Sequence, residues 1–284
     1  MAYVLQEKIT SLIVRLYMLN IIKSGIKVAQ HELDLVSNNL ANSKTTGFKT
    51  SSGRFQDMYS SALDASTTKG MGANFSSPIR IHKQGALIQT NGALDVSVIG
   101  NGMFVLGPPE GIENPYYTRD GSIMLDDKGN LLTSDGLPYL GQQANESGFN
   151  AVLQPINIPF SSTNNKGENL LVSNIKVLPS GIIEATYGVK TIKRIAQLSL
   201  ARFSNPAELR QLGSNRFAET PTSGPPLIGS GDDDGFGKLQ AGSIESSNTD
   251  TTNELSKMIK AQQLFSGAAR LLQSEVEMVR SLFK

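Results

Sequence analysis

Several stretches of this sequence carry residues that could do chemistry. At 231–239, GDDDGFGKL sets a Gly-Lys pair behind three aspartates, in the manner of a phosphate-cradling loop. A P-loop, however, needs four residues between its glycines and Ser or Thr after the Lys; here Leu239 comes next, and no strand is expected to lead in. Asp126, Asp127 and Asn130 suggest a calcium loop, but the alternating acidic spacing and the distant bidentate Glu are missing. GNGMFVLG (100–107) has two of the three glycines of a dinucleotide fingerprint, and no helix is expected after it. The two histidines, His31 and His82, are far apart in sequence, and with no Cys there is no thiolate site and no disulfide. His31 falls on the polar side of a helical pattern, and His82 ends a strand-like IRIH. No nucleophile–base pair is visible. The expectation is a protein that is not an enzyme, with no cofactor and no catalytic or metal site.

The elements around these stretches are better defined. From Ile22 the apolar positions Ile22, Ile26, Ala29, Leu33, Val36 and Leu40 keep a heptad pattern, with polar residues between them. The C-terminal stretch repeats it: Leu255, Met258, Gln262, Phe265, Ala269, Leu272, Val276, Val279 and Phe283, after the candidate N-caps Asn248, Thr249 and Asp250. Seams this narrow seek partner helices, within the subunit or between subunits; two ordinary helices packed on one core are the plainer alternative.

Between them the period changes. ALDVSVIGNGMFVL (93–106) reads as two short strands about a tight turn or bulge, and 116–141 as a meander with turns at Asp120-Gly121, Lys128-Gly129 and Asp135-Gly136. Residues 174–188 read as a hairpin about Pro179-Ser180-Gly181, 194–203 as a strand, and 221–237 as a flexible loop. The expected fold is mainly β with α-helical ends: a central barrel- or sandwich-like β domain and paired, coiled-coil-like terminal helices. The expected organisation is an extension at 1–17, an N-terminal helix at 18–45, a linker or loop at 46–77, the β domain at 78–225, a linker at 226–247 and a C-terminal helix at 248–284. Translation starting at Met18, where the pattern restarts, is one reading of the extension; a short helix with Leu5, Ile9, Leu12 and Leu16 on one face is another. Lys and Arg number 26 against 25 Asp and Glu, so nothing in the charge balance suggests an electrostatic footprint for nucleic acid or an anionic membrane. No stretch is long and apolar enough for a membrane span.

The segment that closes the first helix, SNNLANSKTTGFK, resembles the signature of the bacterial flagellar axial proteins: rod, hook and hook-associated subunits. Asn38, Asn39, Leu40, Ala41, Asn42, Thr46, Gly47, Phe48 and Lys49 match it. So do Gln84-Gly85, Thr90, Leu94-Asp95-Val96, Gly100, Gly102 and Phe104, with Met103 where an aromatic is usual. Tyr117-Thr118-Arg119-Asp120-Gly121, Leu125-Asp126, Gly129-Asn130-Leu131, Phe203, Asn205-Pro206-Ala207 and Leu209 continue the resemblance, and 237–265 closes it, with Gln263-Leu264-Phe265 as a departure.

The resemblance implies a structural subunit that polymerises helically into the axial tube, terminal helices inside and β domain outside. The implied export route is the flagellar type III apparatus, and the implied location is the basal body. The implied partners are other copies of the chain, neighbouring rod and hook subunits and the export apparatus. Even counted from Met18 the chain is short for a hook protein, which favours a rod protein, distal or proximal. A short hook-type subunit is one alternative; an oligomeric β-domain binding module or adhesin, against which the lack of Trp counts, is another.

Overall fold

In the computed structural model, residues 2–59, 70–108, 114–145, 148–163, 169–188 and 191–282 are described, without the side chains of 2–14, 16, 59, 151 and 282. The chain divides into two compact units: Met1–Asn42 with Ser51–Arg80 and Asp250–Lys284, and Ser43–Thr50 with Ile81–Thr249.

The first unit holds both helices. Helix α1 (Ala2–Ala41) runs without a break through Met18, and α2 (Thr251–Leu282) packs along it. Of the three candidate caps, Asp250 is the one that caps: its Oδ1 accepts from the amides of Thr252 (2.9 Å) and Asn253 (3.2 Å), which the helix itself leaves without partners. Residues 46–77, expected as a linker or loop, instead contribute most of an antiparallel hairpin of β1 (Ser51–Tyr59) and β2 (Gly70–Arg80); 60–69 lie outside the described residues. The Ser/Thr/Gly composition concealed the strands, because the hairpin draws its packing from α1. The ring of His31 stacks on Phe75 (centroids 4.5 Å apart), the Oγ of Ser24 accepts from the amide of Ala73, and the hydroxyl of Tyr17 donates to the Gly70 carbonyl. Tyr17, Ser24 and His31 are seven residues apart, so one stripe of α1 meets one strand.

The main sheet of the second unit is open and wholly antiparallel, with eleven described strands, and does not close into the barrel considered from sequence. Its centre is Thr191–Arg202, which pairs with Ile182–Tyr187, Leu140–Asn145, Met103–Leu106 and Leu227–Ser230 along different parts of its length. It pairs along both edges, and residues 196–201 are buried as a continuous run rather than in alternation. Phe104, Leu106, Tyr139, Ile156, Ile158, Ile183, Leu198 and Leu200 are buried together, and Tyr117, Phe203 and Phe217 belong to a second cluster.

Gly129 and Gly136 take the left-handed conformation their turns require, as does Gly181 in the Pro179-Ser180-Gly181 hairpin. The two strands of 93–106 are present but do not pair with each other: Val96–Ile99 joins Lys238–Ala241, and Met103–Leu106 joins the main sheet. Leu227–Ser230, inside the segment expected to be a flexible loop, forms a strand because Leu227 and Ile228 pair with Arg202 and Ala201.

Candidate functional site

The Asn-rich end of α1 and the residues after it are where the sequence concentrates polar groups, and the structure buries them. In the first unit, Asn39 is 1% exposed. Its amide donates to the Ser51 carbonyl (2.8 Å) and to Oε2 of Glu254 (3.0 Å), while its Oδ1 accepts from the Ser51 amide (2.9 Å). One side chain thus satisfies the first residue of β1 and a buried carboxylate of α2, which also accepts from Lys257 Nζ at 2.6 Å. No shorter or apolar residue could do both.

In the second unit, residues 46–50 are clasped by 245–249. The amide of Gly47 donates to the Glu245 carbonyl (2.7 Å), and the carbonyl of Thr46 accepts from Asn215 (2.6 Å). Gly47 has φ +69°, and a Cβ there would stand 2.6 Å from the amide nitrogen of Asp120. Phe48 is buried. The Nζ of Lys49 donates to Oε1 of Glu245 (2.5 Å) and to the Lys83 carbonyl (2.8 Å). Arg119 contacts Oε2 of the same carboxylate at 3.3 Å, and the Gly85 amide donates to its Oε1 at 2.7 Å. Burial pushes the lysine and the arginine below their usual pKa ranges, against the pull of Glu245. Asn248 accepts from the amide and hydroxyl of Thr50 and donates to the carbonyls of Ile81 and Lys83, each at 3.0 Å or less. The arrangement is a structural lock in which one wholly buried carboxylate serves two cations.

The helix seam is partly shifted from its sequence frame. On α1, Ala29 and Val36 are buried and Ile22, Ile26, Leu33 and Leu40 half-buried. On α2, Met258, Phe265, Leu272 and Val279 are half-buried, whereas Leu255 and Val276 are exposed (47% and 40%). The buried positions in alternate turns are Glu254, Ala261 and Glu275, one residue before Leu255, Gln262 and Val276; Phe283 lies outside the described residues. Sequence reasoning followed a frame anchored on the large apolar residues and missed that a small Ala and two carboxylates occupy the inner frame. The strict seven-residue spacing of Glu254, Ala261, Ala268 and Glu275 was the available signal. The rotation leaves Leu255, Ile259, Leu264, Leu271, Val276 and Met278 at 40% exposure or more. A shallow groove on this helix is lined by Lys260, Gln263, Leu264, Gly267, Ala268 and Leu271.

The stretches with chemical possibilities resolve into turns. A strand does lead into 231–239, contrary to expectation, but the chain continues into the strand Lys238–Ala241 rather than a helix whose amides would face a phosphate. There Asp233 accepts from the Ser230 amide, and Asp232 pairs with Lys238. Asp126 and Gly129 close a hairpin turn (2.8 Å), and His82 packs edge-on against Phe217.

Comparison with known proteins joins these parts. The family model described as "Flagella basal body rod protein" matches residues 19–49, "Flagellar hook protein FlgE/F/G D1 domain" matches 97–185, and "Flagellar basal body rod FlgEFG protein C-terminal" matches 240–284. The first and last contain the two halves of the clasp, Gly47–Lys49 and Glu245–Asn248. The flagellar basal-body rod protein FlgG of Buchnera aphidicola (subsp. Acyrthosiphon pisum) is 33% identical over 92% of this chain and 96% of its own length. That of Agrobacterium fabrum is 30% identical over 94% and 98%. The flagellar hook protein FlgE of Helicobacter mustelae is 35% identical, but over only 42% of this chain and 29% of its own length. With its N-terminal helix, β domain and C-terminal helix matched in order by basal-body rod proteins along almost the entire sequence, the chain belongs to the flagellar basal-body rod and hook protein family.

Proposed function

We propose that this protein is a structural subunit of the flagellar basal-body rod, polymerising helically through α1 and α2 into part of the hollow drive shaft. The observation that carries this reading is coverage: rod proteins align with both terminal helices and the β domain between them, whereas the hook protein aligns with less than half of the chain. Its partners are further copies of itself, the adjoining rod and hook subunits, and the export apparatus that delivers it unfolded. Its place is the basal body, and its role is mechanical rather than catalytic.

The seam residues Ile22, Ile26, Ala29, Leu33, Val36 and Leu40 of α1, with Met258, Phe265, Leu272 and Val279 of α2, hold the helix pair together. The outward apolar residues, Leu255 and Val276 among them, contact neighbouring copies. An unpaired apolar stripe of this size is costly in water and favours association. A head-to-tail interface that does not close on itself yields a filament.

The test is to delete the gene in its own host and image purified basal bodies beside a complemented strain. A truncated rod without a hook supports the proposal. A complete rod lacking only the hook transfers the protein to the hook, and intact functional flagella overturn both readings.

A further inference from the structure

The turn between Leu87–Gln89 and Val96–Ile99 in the second unit holds a group of side chains that neither the clasp nor the assembly reading uses. It contains Asn91-Gly92, a dipeptide in which no side chain on the second residue shields the main-chain nitrogen from the Asn amide. Asn91 is exposed and has φ +59°. The turn is pinned to Gly242, whose carbonyl accepts from the amides of Thr90 (2.8 Å) and Asn91 (3.3 Å) and whose own amide donates to the Asp95 carbonyl (2.8 Å).

The Gly92 amide has a different partner. It donates to the hydroxyl of Thr90 at 3.4 Å, and that hydroxyl donates to Oδ2 of Asp95 at 2.5 Å. A Cβ on Gly92 would collide with the same carboxylate oxygen, so glycine is what lets the carboxylate lie against this nitrogen. Amide, hydroxyl and carboxylate therefore stand in a line along which a proton can pass. The chain carries the same dipeptide once more, at Asn101-Gly102, where Asn101 is also exposed. There the nearest neighbours of a Cβ on the glycine would be atoms of Leu200, from 3.3 Å, and not a carboxylate.

We propose that Asn91-Gly92 is a self-modification site, at which Asp95 acts through the Thr90 hydroxyl as general base. The Gly92 nitrogen attacks Cγ of Asn91 while its proton moves to Thr90 and the hydroxyl proton of Thr90 moves to Asp95. The bond from Cγ to the side-chain nitrogen breaks, and that nitrogen takes the proton from Asp95 and leaves as ammonia. Water then opens the cyclic imide at either carbonyl, giving aspartate or isoaspartate at position 91. Either product adds a carboxylate beside Asp95, and isoaspartate also adds a carbon to the main chain. The change falls next to Leu87–Gln89, which pairs with Ser243–Glu245 and so borders the carboxylate of the clasp.

The test incubates the purified full-length subunit at neutral pH and digests samples with trypsin at intervals. Both asparagines lie between Lys83 and Arg119, so one fragment reports both sites. Electron-transfer fragmentation locates the conversion and separates aspartate from isoaspartate. In the folded protein Asn91 is expected to convert at least about tenfold faster than Asn101. In urea, which disperses the relay, the two rates should become equal. Thr90→Val and, independently, Asp95→Asn should remove the advantage of Asn91 while circular dichroism shows the fold retained. Equal rates at the two sites in the folded wild type overturn the proposal without recourse to a variant. A preference for Asn91 that survives in urea overturns it as well, since the local sequence would then be the cause. So does a folded Thr90→Val protein that converts Asn91 at the wild-type rate.

Discussion

Replacing Glu245 by Gln keeps the shape of the clasp and removes the negative charge that Lys49 and Arg119 share. Both cations then remain buried against one neutral amide. Removing one partner of a buried ion pair costs about 3–5 kcal/mol, because the survivor keeps its desolvation penalty without compensation. At about 2–4 °C per kcal/mol for a unit of this size, the melting temperature should fall by roughly 6–20 °C. The converse substitution, Lys49→Met, should be much milder. It leaves Glu245 paired one to one with Arg119 and removes hydrogen bonds to Glu245 and the Lys83 carbonyl, a loss of about 1–3 kcal/mol. The assay is urea unfolding of both variants by circular dichroism, with unchanged m-values showing that the same transition is measured. The two-to-one stoichiometry predicts the asymmetry. If Lys49→Met costs as much as Glu245→Gln, the carboxylate is not the shared counter-charge and the reasoning fails.

Other residues allow three more tests. The hydroxyl of Tyr117 is buried without a hydrogen-bond partner among the described residues, and burial, with Glu219 adding to it, pushes its pKa far up. The unfolded state releases this proton near pH 10 and the folded state does not, so folding stability falls as pH rises above that point. Tyr117→Phe should be neutral to about 2 kcal/mol stabilising at pH 7 and should flatten the alkaline loss in a pH series of melts. Gly47→Ala forces a left-handed backbone on a residue whose Cβ would meet the backbone of Arg119 and Asp120. A loss of at least about 2 kcal/mol in urea unfolding is expected, and a wild-type midpoint would contradict the contact. Deleting residues 250–284 should leave the β signal in circular dichroism while abolishing polymer growth by light scattering; loss of the β signal would count against an independent second unit.

The sequence made the helices, the turns and the β character legible because each obeys a local rule: heptad spacing for α1 and α2, and Gly at positive φ for Gly129, Gly136 and Gly181. It made the motif legible as Asn39, Gly47, Phe48 and Lys49 but not its partners. Those partners, Glu245, Asn248 and Arg119, lie about 70 to 200 residues away, and no periodicity announces a contact at that distance. The α2 frame was half legible. Apolar residues mark Phe265 and Leu272, but the burial of Glu254 depends on Asn39, which reaches it across 215 residues of chain. The β1–β2 hairpin was hidden for a similar reason, since its strand pattern is completed by Tyr17, Ser24 and His31 on α1.

The Lys49–Glu245 clasp is also a clock. The two residues are separated by 196 positions. At about 5–20 residues per second, a ribosome produces Lys49 roughly 10–40 s before Glu245 exists. Through that interval the clasp lacks its anion, and the Gly47 amide lacks the carbonyl it will bond. The second unit cannot finish folding until nearly the whole subunit has been made. An export route that takes an unfolded chain would therefore have tens of seconds in which to capture it, set by where one glutamate lies in the sequence.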